Sequence, residues 1–191
     1  MRKIISKEEI AKKRERNQLI IGGILIFVML FSTFGYSFYR ENNNESNINK
    51  KINYKGFEFV KQGDYWYLNN NNFEFVFKYN PKEVLKVYVT LNSISNYYGQ
   101  PLYIFSENKE AEIEIYNNLG QVSLRIQPAC LDESECEGGW PVKTCKDNFI
   151  IIRNSNYTNI IQEDNCVFIN GPEENLTQIT DEFLFKIIGV E

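Results

Sequence analysis

Hydrophobic and polar residues alternate through "GFEFVKQ" (residues 56–62), "DYWYLN" (64–69) and "NFEFVFKY" (72–79), with breaks at Gly63-Asp64 and at Asn69 to Asn72. A period of two with turn residues between the runs predicts a β-meander that buries one face. "EVLKVYVTL" (83–91) and "PLYIFSE" (101–107) are apolar runs of strand length and are expected as inner strands. "ENKEAEIEIYNNLG" (107–120) fits two periods. Ala111, Ile113 and Ile115 alternate as in a strand, while Ala111, Ile115, Tyr116 and Leu119 share a helix face. The Glu and Lys content favours a short helix, with Gly120 as a left-handed cap. "QVSLRIQP" (121–128) then closes a strand–helix–strand unit, right-handed if its strands are parallel.

"NFIIIRN", "YTNIIQ" and "CVFING" (148–154, 157–162 and 166–171) read as three more strands, the last two joined through Glu163-Asp164-Asn165 as a hairpin. The period then lengthens. Leu176, Ile179, Phe183, Leu184, Ile187 and Ile188 form one apolar stripe, with Pro172 near its start, Glu173 and Glu174 in the first turn, and Gly189 at its stop. The expected fold is an α/β or α+β domain over residues 54–191: a mixed β-sheet with a β-meander, about two helices and a long amphipathic C-terminal helix.

Upstream, Asn17 to Tyr39 runs 23 residues without a charge, longer than the ~20 that cross a bilayer as a helix. Residues 18–39 are therefore expected to be a transmembrane helix. Lys12, Lys13, Arg14 and Arg16 before it and the aromatic group Phe34, Tyr36, Phe38 and Tyr39 after it place a basic tail, residues 1–17, in the cytoplasm. A cleaved signal peptide is the competing reading. "RENNNESNINKKIN" (40–53) lacks apolar periodicity and reads as a solvated tether. The expected location is the plasma membrane, single-pass, with the C-terminal domain outside.

Composition adds exclusions. The net charge is -4, but residues 1–17 hold seven Lys/Arg against three Glu, leaving 14 basic and 22 acidic residues in the remainder. An acidic main domain with no basic stripe argues against nucleic-acid binding. The chain has no histidine, so Ser-His-Asp and Cys-His catalysis and His-bearing metal motifs are absent. No glycine-rich phosphate loop precedes a helix.

The four cysteines, Cys130, Cys136, Cys145 and Cys166, include no close pair of the kind structural zinc or a redox CxxC requires. Two structural disulfides are expected instead. Four cysteines allow three pairings, and the local one joins Cys130 with Cys136 and Cys145 with Cys166. Asp132, Glu133, Glu135 and Glu137 lack calcium-loop spacing and read as a solvated loop. No metal or cofactor is expected.

Trp66 sits in an alternating strand and is expected to be core. Trp140, among Gly, Glu and Pro, is the expected contact residue. Asn44, Asn156 and Asn175 open sequons; Asn44 and Asn156 are the better acceptors because Asn175 falls in the expected last helix.

The segments "QPAC", "KTC", "NCVFING" and "DEFLFKIIGV" resemble those of uncharacterised archaeal single-pass membrane proteins over roughly residues 54–190. That resemblance implies an exported α/β domain with paired cysteines behind one anchor, and no activity. Two functions follow as expectations. The first is a non-catalytic, membrane-anchored binding or structural protein of the cell envelope, held through residues 18–39 and meeting a protein or surface polymer outside. The alternative is an exported hydrolase acting on glycans or peptides through carboxylates.

Overall fold

The computed structural model describes residues 16–30, 50–70, 72–136 and 139–190. The described residues fall into two units, 16–30 in the first and 50–190 in the second. In the first, residues 16–30 are helical (α1). Among the described residues no helix is long and apolar enough to cross a membrane. The expected transmembrane helix over 18–39 is therefore not supported. Its second part, 31–39, lies outside the described residues, as do most of the basic tail and the tether up to residue 49.

The second unit is an α+β domain in which the meander and the mixed sheet are two separate sheets. It starts earlier than Tyr54, because β1 (Lys51–Tyr54) already pairs with β2 (Phe57–Gln62). β3 (Tyr65–Asn70) and β4 (Phe73–Phe77) complete an antiparallel meander in the order β1-β2-β3-β4. Lys55 and Gly56, at φ 48° and 90°, make the first turn. Positive φ at both central residues is what a two-residue hairpin requires to match the strand twist. Phe59, Trp66, Leu68, Phe75 and Phe77 point inward and are buried, so the alternation and the Trp66 expectation agree with the structure.

The second sheet has the order β6-β5-β7-β9-β8. β5 (Pro101–Ser106), β6 (Arg125–Pro128), β7 (Asn148–Asn154) and β9 (Cys166–Gly171) are parallel, and β8 (Asn159–Glu163) is an antiparallel edge. The β5–α2–β6 unit forms through α2 (Lys109–Leu119), whose Asn108 cap accepts a hydrogen bond from the Ala111 N–H at 2.9 Å. α2 does not end in a left-handed glycine, since Gly120 has φ -62° and stays helical. α3 (Leu176–Ile188) does, with Gly189 at φ 86° and Val190 N–H donating to the Phe185 carbonyl at 2.9 Å.

Both helices lie on one face of the second sheet, and the meander covers them from the other side. Leu102, Ile104, Ile150, Ile152, Val167 and Ile169 of the sheet share one core with α2, α3 and the meander. α3 is clasped on two sides. Phe185 meets Phe77 with ring centroids 4.4 Å apart and Phe59 at 5.6 Å, while Ile179 presses on Gly171 of β9, where a Cβ would collide with its terminal methyl.

The expected inner strand "EVLKVYVTL" forms no ladder. It is an extended strap from the meander to the edge of the second sheet. Val87, Val89 and Leu91 pack on the core while Tyr88 is 99% exposed, and Asn92 N–H donates to Gln162 Oε1 at 2.8 Å. The period of two is real, but no neighbouring strand lies beside it.

Candidate functional site

The connection from β6 to β7 has to pass across β5, and it does so on the face opposite α2 and α3. A right-handed crossover requires that side. Parallel sheets ordinarily carry helices on both faces; here the second face, with Tyr103, Ala129, Phe149, Ile151 and Cys166, is covered by the cysteine-bearing crossover through Leu131 and Cys145. The structure pairs Cys130 with Cys136 (Cα–Cα 5.4 Å) and Cys145 with Cys166 (4.8 Å). The first bridge closes the tip of the loop. The second ties the loop's return to the first residue of β9.

Backbone bonds reinforce the clamp. Cys130 N–H donates to the Pro141 carbonyl at 3.2 Å, Lys143 N–H to Cys130 at 2.8 Å, and Asn165 N–H to Cys145 at 3.0 Å. Of the acidic run, Asp132 accepts from Ser134 N–H at 2.8 Å, which holds its carboxyl below the ordinary range. Asp132 and Glu133 are exposed, and among the described residues no group of three or more acidic or cysteine side chains could hold a metal. Glu137 and the Glu135 side chain lie outside the described residues.

Trp140 is half-buried, and Val142 beside it is 44% exposed. Beneath the loop, Lys143 Nζ sits 4.1 Å from the Tyr103 ring centroid and Arg125 donates to the Tyr103 hydroxyl at 3.4 Å. Hydrogen bonds from Lys143 and then Arg125 keep this phenol below its ordinary pKa. Asn156, Tyr157 and Thr158 are all exposed in the bend between β7 and β8. Asn175 is half-buried with Thr177 5% exposed. Asn44 lies outside the described residues.

In open sheets with parallel strands, ligands gather where the chain departs in opposite directions from neighbouring strands. That point is the carboxyl end of β5 and β7. There the chain bonds to itself at the surface: Glu107 Oε2 accepts from Asn154 N–H at 2.7 Å, and Asn108 donates to the Glu173 carbonyl at 3.3 Å.

A feature that sequence reasoning missed lies between the helices and the meander. The open edge of β4 is completed by side chains instead of a fifth strand. Gln121 donates to the Glu74 carbonyl at 2.7 Å. Asn118 accepts from Val76 N–H at 2.8 Å and donates to the Val76 carbonyl at 2.7 Å. Beyond the strand, Asp181 Oδ2 accepts from Tyr79 N–H at 2.9 Å, and the Lys78 backbone N–H faces both Glu114 and Asp181.

The two carboxyls meet across the α2–α3 contact, 3% and 0% exposed. Burial, offset in part by the hydrogen bond from Asp181, pushes Glu114 up to about 7. Burial and then the Glu114 charge raise Asp181 well above the carboxylate range. Next to them Glu182, 2% exposed, is neutralised by Lys86 at 2.8 Å and Lys186 at 3.6 Å. The legible signal was polar residues on inward helix positions: Glu114 and Asn118 stand one position ahead of Ile115 and Leu119, four residues apart.

No protein-family model, no curated protein and no solved structure matches the chain.

Proposed function

We propose that this chain is an extracytoplasmic binding or structural protein of the cell envelope whose domain acts by contact through the disulfide-clamped crossover. The observation that carries the reading is the commitment of all four cysteines to two disulfides that replace the helix expected on that face. Such bonds persist in oxidising compartments and are rare in the cytoplasm. Trp140 and Val142 give this loop an aromatic and aliphatic surface of the kind contact interfaces concentrate. The hydrolase reading draws no support from Glu114 and Asp181, because both are enclosed away from any substrate.

The test has two arms in the native host. Alkylation of intact cells before lysis should leave all four sulfurs unlabelled, and four labelled thiols would overturn the location. A photo-crosslinking residue at Trp140 should give a discrete adduct that the same residue at exposed Glu83 does not. Equal or absent cross-linking at the two positions overturns the contact surface while leaving the location standing.

A further inference from the structure

We propose that Glu114 and Asp181 form a proton-held latch that keeps the β4 edge of the meander closed against α2 and α3, and that loss of protons from this pair opens that edge. The geometry is a row of side-chain rungs along β4: Gln121 on Glu74, Asn118 on Val76, and the two acids on the backbone N–H groups of Lys78 and Tyr79. Gln121 and Asn118 are neutral at every pH. The last rung is not. Glu114 Oε2 and Asp181 Oδ1 are buried with no conventional donor among the described residues, the arrangement of two carboxyls with a proton between them.

The groups facing the pair leave this proton as the main source of relief. Glu110, on α2, adds repulsion, and Lys78, at the end of β4, adds attraction. Glu182 of α3 is already paired with Lys86 of the strap and with Lys186. With one or two protons in place the pair is singly charged or neutral, and it accepts from the Tyr79 N–H with the Lys78 N–H facing it. Without a proton, two carboxylates face each other in a site with no water access, where like charges at close range cannot both persist. The low-cost relief is separation of α2 from α3, which withdraws acceptors from Lys78 and Tyr79 and frees the β4 edge.

Each proton bound more weakly on opening changes the opening constant by about tenfold per pH unit between the open and closed pKa values. Hydrogen exchange of the full chain, corrected for intrinsic exchange rates, reads this directly. The Val76, Lys78 and Tyr79 amides should lose protection by roughly tenfold per pH unit from pH 5 to 7, while the β7 and β9 amides follow a shallower course. Asp181→Asn, which keeps a neutral donor to Glu114, and Glu114→Gln should each flatten the slope at residues 76–79. Unchanged protection of those amides from pH 5 to 8 overturns the latch, as does an identical slope in wild type and either variant. If neither variant folds, the wild-type contrast between residues 76–79 and the β7–β9 amides decides.

Discussion

Asn118 is fully buried and makes three hydrogen bonds, two to Val76 and one donated to the Glu114 carbonyl at 2.9 Å. A side-chain amide has one acceptor and a two-proton donor group, so it can complete a strand edge from both directions. No aliphatic residue of similar size can. Asn118→Ala leaves the Val76 N–H and carbonyl unpaired in a part-buried interface, and at about 1–3 kcal/mol for each orphaned group the loss should be about 2–6 kcal/mol, read as a lowered urea midpoint. Gly171 fails for the opposite reason, too little space. Gly171→Ala drives a methyl into the Ile179 side chain, and overpacking of this kind costs about 1–3 kcal/mol. An Ile179→Val partner that restores part of the loss would assign the cost to that contact rather than to backbone freedom.

Each disulfide spans a different loop, and their contributions should differ accordingly. Cys130–Cys136 encloses a separation of 6 residues and Cys145–Cys166 one of 21; loop-closure entropy gives about 2 and about 3 kcal/mol respectively. Thermal unfolding of Cys130→Ser/Cys136→Ser and Cys145→Ser/Cys166→Ser double variants should show the second pair as the greater loss. Equal losses would mean the tip bridge restrains more than its own loop. Elements with one uncontested period were legible in the chain, among them the meander, the parallel strands and the Gly189 stop. Partners were not legible. The strap at 83–91 alternates as a strand does, yet laddering depends on a neighbour that no local pattern records. α3 shows one apolar stripe, but Phe185, outside that stripe, is 1% exposed against the meander, because the helix lies between two sheets. The site was harder to see for the same reason: Glu114, Asn118 and Asp181 read as ordinary polar helix residues until two elements are brought face to face.

At the scale of the whole molecule, the buried acids reverse the usual dependence of stability on pH. A carboxyl whose folded pKa lies below its unfolded one stabilises above the carboxylate range and is lost in acid. Glu114 and Asp181 are raised in the fold, Glu114 to about 7 and Asp181 well above its ordinary value, burial being the leading cause for both. Their contribution is therefore complete below about pH 4 and declines as pH rises, through about 7 for Glu114, with Asp181 shifted in the same direction. Asp132 opposes the trend, since its carboxyl is lowered, but it is exposed on the crossover loop and its bond to Ser134 is local. The full chain should accordingly have a higher urea midpoint at pH 5 than at pH 8, and the difference should shrink in Glu114→Gln. A midpoint that rises from pH 5 to pH 8 would mean that lowered carboxyls elsewhere outweigh the pair. The two halves of the domain should also part company as pH rises. The first half gains its edge pairing from the acid rung, while the second is held by parallel strands, the Cys145–Cys166 bridge and aliphatic packing that carry no buried carboxyl. Loosening on the alkaline side should begin at β4 and α2, and the disulfide-clamped face should be the last to move.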